Sequence, residues 1–220
     1  MVKEVERYRR PTRVLHWVHA AAFVILFFTG LVLFIPQLGI LAQDSWTRVI
    51  HRIAAVVFIV APLIYIPMNL KATVKGVKEA FTWGTDDLGW LQAAPRYYML
   101  SDEEAMPPQG HINTGQKMWW LMAIVFGIVF VITGLIMWFA KEAGAPALLQ
   151  WMVFLHDIAF ITTGAMLFVH IYLSFHPLMR PTRSGAWSSM ARGKVSVEYA
   201  KSHHSKWYEE LGIAKKVTDK

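Results

Sequence analysis

The chain contains no cysteine. This removes disulfides, thiolate zinc sites, cysteine-ligated iron–sulfur clusters and cysteine nucleophiles in one step, leaving His, Met and oxygen atoms as the available metal ligands. Charge is scarce as well: Asp, Glu, Lys and Arg make up 17% of the 220 residues against 55% apolar types, at a mean hydropathy of +0.36. That balance excludes disorder and fits poorly with a water-soluble domain. No Walker loop, dinucleotide fingerprint, heptad series or internal repeat is present. Acidic residues are the rarer sign, 15 against 22 basic ones. The placement of the bases accounts for that excess without nucleic acid.

Runs almost free of charge extend over Val14 to Thr47, Ile53 to Leu70, Met118 to Ala140 and Ile158 to Met179. A helix needs about 20 such residues to cross about 30 Å of hydrocarbon. The first run exits early at Pro36, Gly39 and Asp44. The expected spans are therefore 13–35, 47–69, 116–140 and 148–175. The first is too long in its apolar part for a cleaved signal peptide and lacks a clean cleavage site, so it is expected to remain in place. Lys3, Arg7, Arg9, Arg10 and Arg13 precede span one, Lys71, Lys75, Lys78 and Arg96 lie between spans two and three, and nine bases follow from Arg180 onward. The other two connections carry only Arg48 and Lys141. By the positive-inside rule both termini and the segment 70–115 face the cytoplasm. That segment, with Trp83, Trp90, Tyr97, Tyr98, Pro107 and Pro108, is expected to form a partly ordered cap against a partner subunit. The domain plan is thus a tail over 1–12, a membrane domain over 13–175 and a tail over 176–220.

Of nine histidines, His16, His19, His51, His156 and His170 fall inside spans, where an ionisable side chain is costly and marks a functional site by default. His156 and His170 are 14 residues apart, about 40° short of four helical turns, so they share one face about 21 Å apart along the axis. Span four runs inward, span one starts at the cytoplasm and span two starts at the far side. Two level pairs result, His51 with His156 at the outer depth and His16 with His170 at the inner depth. Imidazoles from facing helices in a bundle core can sandwich a haem iron, and with both axial positions filled such an iron transfers electrons and does not activate oxygen. Without a C-x-x-C-H motif the haems are not covalently attached. A packing or hydrogen-bonding role for each histidine is the competing reading. His19 competes with His16 for the inner level, and His176 falls off the shared face near the membrane edge.

Arg52 and Asp157 each follow an outer-level histidine and need an opposite charge, water, a haem propionate or each other. Trp17, Trp46, Trp119, Trp120 and Trp151 read as interface anchors, and Met118, Met137, Met152 and Met166 as gap fillers. Gly30, Gly127, Gly134 and Gly164 permit close helix approach or make room for a macrocycle. Immediately before span three, Asn113, Thr114, Gly115, Gln116 and Lys117 follow His111. Two uses of this segment are open: amide donors and a glycine around a quinone ring, or an N-cap at Asn113 or Thr114.

These residues resemble the cytochrome b (gamma) subunit of respiratory formate dehydrogenases, within a broader set that includes hydrogenase and thiosulfate reductase cytochromes b. The similarity runs through Arg13-Val14-Leu15-His16-Trp17, Val49-Ile50-His51-Arg52, the N-x-G-Q-K segment Asn113 to Lys117, Phe154-Leu155-His156 and Phe168-Val169-His170-Ile171-Tyr172. It continues in the tail at Gly193-Lys194-Val195-Ser196, Tyr199-Ala200-Lys201-Ser202-His203-His204 and Trp207-Tyr208, which is similar to the formate dehydrogenase branch in particular. The resemblance implies an all-α integral membrane protein, a four-transmembrane-helix bundle binding two b-type haems. It implies that His51 and His156 hold the outer haem iron, that His16 and His170 hold the inner one, and that Asn113, Gly115 and Gln116 line a quinone pocket next to His170.

It further implies a bacterial cytoplasmic (inner) membrane location. The partners would be an iron-sulfur subunit and a molybdenum or tungsten formate dehydrogenase catalytic subunit, with quinone reduced at the cytoplasmic side. Residues 81–110 have no clear counterpart in the resemblance. The alternatives are a cytochrome b subunit of a hydrogenase or thiosulfate-reductase-type complex, and a redox-silent membrane anchor.

Overall fold

The computed structural model describes residues 4–43, 46–100, 106–175 and 185–212. In chain order these form β1 (Glu4–Glu6), α1 (Arg10–Phe34), a 3-10 turn (Pro36–Ala42), α2 (Trp46–Met68), α3 (Leu70–Phe81), α4 (Thr85–Leu100), α5 (Thr114–Phe139), α6 (Pro146–Phe175), α7 (Gly185–Ala191), β2 (Lys194–Ser196), α8 (Val197–His203) and α9 (Ser205–Glu210). α1, α2, α5 and α6 are each long and apolar enough to cross a membrane. Three of them begin two or three residues before the expected spans, at places where the sequence supplies a helix start. Pro11 and Pro146 fall in the first helical turn, where a missing N–H costs nothing, and Asn113 caps α5. His176 lies outside the described residues.

The chain divides into two compact units. One comprises 1–13, 71–121 and 170–220, the other 14–70 and 122–169. In the first, the described parts of the segments expected as tails carry β1, β2 and the short helices α7, α8 and α9. β1 and β2 pair antiparallel with Val5 opposite Val195, and Val195, Ala200 and Trp207 form a core flanked by Val5, Tyr199 and Tyr208. Gly193 makes the chain reversal before β2 possible: its φ is +82° and a Cβ there would sit 2.6 Å from the Tyr8 carbonyl. The segment expected as a cap folds as α3 and α4. Lys71, Lys75 and Lys78 recur at helical spacing along α3, which makes it amphipathic. At the start of α4, Asp87 accepts the Gly84 N–H at 2.9 Å and thereby caps the helix.

In the second unit the buried positions are small: Ala22, Ala54, Ala159, Thr133, Thr163 and Gly164. Large side chains point outward instead, with Phe28, Ile53, Leu63 and Phe168 between 60% and 63% exposed. Water would not tolerate that inversion over four helices, whereas lipid does. Gly164 lets α1 and α6 close on each other, since a Cβ there would meet the Phe27 ring at 2.8 Å. The protein is an integral membrane protein built mostly of helix.

Candidate functional site

Within the second unit α1, α2, α5 and α6 converge on two imidazoles. The His51 ring from α2 and the His156 ring from α6 have centroids 6.4 Å apart, with planes inclined at 54°. Each ring is held in the same way by a threonine of a further helix. Thr29 of α1 lies 2.8 Å from His51 Nδ1, and Thr133 of α5 lies 2.7 Å from His156 Nδ1. The direction of these bonds follows from where the hydroxyl hydrogens go. Thr29 donates to the Ile25 carbonyl at 2.7 Å and Thr133 to the Val129 carbonyl at 2.6 Å. Both threonine oxygens are therefore acceptors, and both imidazoles carry their hydrogen on Nδ1. Their Nε2 lone pairs take no hydrogen bond among the described residues.

Each imidazole also lies against the glycine that follows its threonine. A Cβ on Gly30 would be 3.8 Å from His51 Cε1, and one on Gly134 would be 3.7 Å from His156 Cε1. A donor set of two neutral imidazoles with bare Nε2 atoms suits a haem iron. Metal–imidazole bonds of about 2.0–2.1 Å, with a nitrogen about 1.2 Å from its ring centre, place two such centroids about 6.4–6.6 Å apart. The observed 6.4 Å fits that requirement.

His19 has a different employment. Its Nε2 lies 2.9 Å from the Phe58 carbonyl, and its ring stacks on that of Phe58 at 4.4 Å. In a regular helix this carbonyl would accept the N–H four residues on, which belongs to Pro62 and does not exist. An orphan carbonyl inside a membrane helix needs a donor, and His19 supplies it from the neighbouring helix. His16, one turn earlier in α1, packs edge-on against Trp17 at 5.0 Å. Arg52 lies over the Trp138 ring at 5.2 Å, and among the described residues it forms no ion pair with Asp157. The expected His16–His170 pair divides between the two units.

In the first unit the His170 ring stacks on Trp119 of α5 at 4.4 Å, a turn beyond the N-x-G-Q-K segment. That segment is a reciprocal cap. Gln116 N–H donates to Asn113 Oδ1 at 2.9 Å, and Asn113 N–H donates to Gln116 Oε1 at 3.0 Å, the capping-box arrangement with amides in both roles. Thr114 donates to Asp87 at 2.7 Å, and Lys117 pairs with the same carboxylate at 2.8 Å. Gly115 admits a flat ring, and here that ring is the Trp90 indole, which a Cβ would meet at 2.8 Å. The capping bonds use the amide oxygens of Asn113 and Gln116. Their NH2 groups have no protein partner among the described residues and remain able to donate.

Arg7 anchors this corner. Its guanidinium, buried to 6% exposure, donates to Gln116 Oε1 at 3.1 Å, to the His111 carbonyl at 2.7 Å and to Ser189 Oγ at 3.2 Å. Burial and this cation together push His111 down to about 4, and they lower His204, whose Nδ1 meets the Gly110 carbonyl at 2.7 Å. Both histidines are neutral building blocks of the first unit. Asp87 is pulled both ways: burial resists its ionisation, but Lys117, Thr114 and the Gly84 N–H outweigh that and hold it below the ordinary carboxylate range.

Sequence reasoning passed over Thr29, Thr133 and Arg7. For the threonines a signal was available, because Thr29-Gly30-Leu31 and Thr133-Gly134-Leu135 repeat the same tripeptide in two spans.

The family model described as prokaryotic cytochrome b561 matches residues 7–193. The chain is 27% identical to the formate dehydrogenase cytochrome b556 subunit of Haemophilus influenzae, over 97% of this chain and 86% of that protein. It is 27% identical to the formate dehydrogenase cytochrome b556(fdo) subunit of Escherichia coli K12, over 98% of this chain and 96% of that one. It is 25% identical to the nitrate-inducible cytochrome b556(Fdn) subunit of the same organism, over 95% of this chain and 92% of its relative.

Proposed function

Because the chain belongs to the prokaryotic cytochrome b561 family, we propose that it is the membrane electron-transfer subunit of a formate dehydrogenase complex, receiving electrons from an iron-sulfur partner and delivering them to quinone. The family implies b-type haem, which when bound supplies a one-electron carrier within the bilayer. His51 and His156 would hold the outer haem through Nε2, and His16 and His170 would hold the inner one. Two imidazoles on each iron would leave no site for oxygen, so the bound group would serve as an electron carrier. The names of the relatives support a formate dehydrogenase complex as the setting, and the catalytic partner we propose is its molybdenum or tungsten subunit.

Asn113 and Gln116 donate from their NH2 groups to a quinone carbonyl, while Arg7 fixes the Gln116 side chain and Gly115 keeps the backbone close to Trp90. His170 lies at the same end of α5 through its stack on Trp119. The concentration of Lys and Arg supports a cytoplasmic position for both termini and the segment 70–115, and the membrane we propose is the bacterial inner membrane. The quinone end is accordingly cytoplasmic.

The observation that carries this proposal is the His51–His156 pair, with both Nδ1 atoms bound to threonine, both Nε2 atoms without a hydrogen bond among the described residues, and ring centroids 6.4 Å apart, a separation suited to one metal. The test is a haem-to-protein ratio with a reduced-minus-oxidised spectrum of the chain purified in detergent. Two haems per chain are expected, and one in His51→Ala or His156→Ala; a full complement in either variant would refute the ligand assignment. For the quinone end, Asn113→Asp and Gln116→Glu keep the capping oxygens and remove the NH2 donors. Quinone reduction is expected to slow with haem content intact, and unchanged turnover would return the segment to a purely capping role.

A further inference from the structure

We infer that Thr29 and Thr133 are positioning residues for electron transfer, each fixing the tautomer and ring orientation of one histidine so that both Nε2 lone pairs converge on a common axial line. The inference rests on the proposal that His51 and His156 are haem ligands and adds what holds them in place. Two independent sites show the same construction. In each, a threonine spends its hydroxyl hydrogen on the carbonyl four residues back in its own helix, to Ile25 at 2.7 Å or to Val129 at 2.6 Å. In each, the oxygen left over accepts from a histidine of another helix, at 2.8 Å or 2.7 Å. In each, the next residue is glycine, placed so that a Cβ there would stand in ordinary van der Waals contact with the imidazole, at 3.8 Å for Gly30 and 3.7 Å for Gly134.

The arrangement joins all four spans in two crossings, α1 to α2 and α5 to α6. A threonine that merely filled space would leave the histidine free to present either nitrogen. A hydroxyl whose hydrogen is already committed admits only the Nδ1–H tautomer, and the wrong tautomer would aim an N–H at the metal. Hydrogen bonding at Nδ1 also gives the imidazole more electron density, which favours the oxidised metal. Removing the acceptor therefore weakens the hold on the haem and raises the potential of that haem alone.

The experiment uses Thr29→Val, Thr133→Val and the corresponding Thr→Ser and Thr→Ala variants, purified from membranes in detergent beside His51→Ala and His156→Ala. Readouts are haem retention under dilution, a redox titration that resolves the two haems, and the low-spin resonance spectrum of the oxidised protein. Each Val variant is expected to hold the outer haem about 10–100-fold more weakly, with an upward shift of its midpoint potential and the inner haem unmoved. The Ser variants, which retain the hydroxyl, are expected to match the parent.

If a Val variant fails to accumulate, Thr→Ala against Thr→Ser at the same position makes the comparison. Val or Ala variants with the parental potential and retention overturn the inference while the His variants still lose a haem. Retention of both haems in the His variants overturns the ligand assignment and this inference with it.

Discussion

The assignment of His19 to the scaffold can be tested through Pro62. The Phe58 carbonyl lacks its helical donor because residue 62 is proline, and His19 Nε2 stands 2.9 Å away as the substitute. His19→Ala therefore leaves a carbonyl unsatisfied in apolar surroundings, at a cost of about 1–3 kcal/mol. Loss of the ring stacked on Phe58 at 4.4 Å adds a packing term. Pro62→Ala restores an N–H at the regular position, so the same carbonyl has a donor whether or not the imidazole is there. The packing loss is common to both backgrounds and cancels in a double-mutant cycle, leaving a coupling of about 1–2 kcal/mol, near the upper range measured for hydrogen bonds between membrane helices. Unfolding in SDS followed by circular dichroism, on the four chains of the cycle, supplies the number. Haem content should stay at the parental value throughout, because His19 is not a ligand in this scheme. An equal penalty for His19→Ala with and without Pro62 would refute the orphan-carbonyl account, and loss of a haem in His19→Ala would show that His16 was the wrong choice.

Two further outcomes follow from the first unit. Lys117→Met strands the Asp87 carboxylate, whose side chain is only 7% exposed, and should destabilise by about 3 kcal/mol; adding Asp87→Asn should recover part of the loss in thermal unfolding, and no recovery would mean that the ion pair is not the cause. His111 is neutral in the folded chain down to about 4, because burial and Arg7 oppose its charging, while the unfolded chain protonates near 6.5. Its contribution, on the order of 3 kcal/mol, is thus complete above pH 6.5 and is lost as pH falls toward 4. Limited proteolysis across that range should show growing cleavage of this unit, and His111→Gln should make the profile shallower, with buried His204 supplying the pH dependence that remains.

How much of this was legible in the sequence depended on whether the governing force was local. The four spans stand out because hydrocarbon demands unbroken apolar runs, and the histidines within them stand out because lipid makes them expensive. The amphipathic spacing of Lys71, Lys75 and Lys78 was equally local, and α3 and α4 give the segment expected as a partly ordered cap its helical order. The β1–β2 ribbon was not legible: Val5 and Val195 lie 190 positions apart in strands of three residues each, too short for alternation to register. Asn113 and Gln116 were visible as either a cap or a ligand site. The structure shows the cap using their oxygens, and the function proposed for them concerns the other half of the same amides.

The threonines mark the limit most clearly. A threonine in a membrane helix satisfies itself by bonding its own backbone, which is what Thr29, Thr133, Thr162 and Thr163 all do. Nothing in that bond separates the two that also meet a histidine from the two that do not; Thr163 is even followed by glycine, as Thr29 and Thr133 are. The same ambiguity runs through the histidines, since burial in lipid is a cost shared by ligands and by packing groups. What distinguishes them is the nitrogen each one commits to the protein. His19 gives Nε2 to a carbonyl that proline has orphaned, whereas His51 and His156 give Nδ1 to a hydroxyl and keep Nε2 in reserve. In the proposed assignment, His19 as a scaffold residue and His51 and His156 as metal ligands thus differ by which end of the ring is already spoken for. That difference arises from contacts between helices, which neither the spacing of the histidines nor the repeated Thr-Gly-Leu tripeptide specifies.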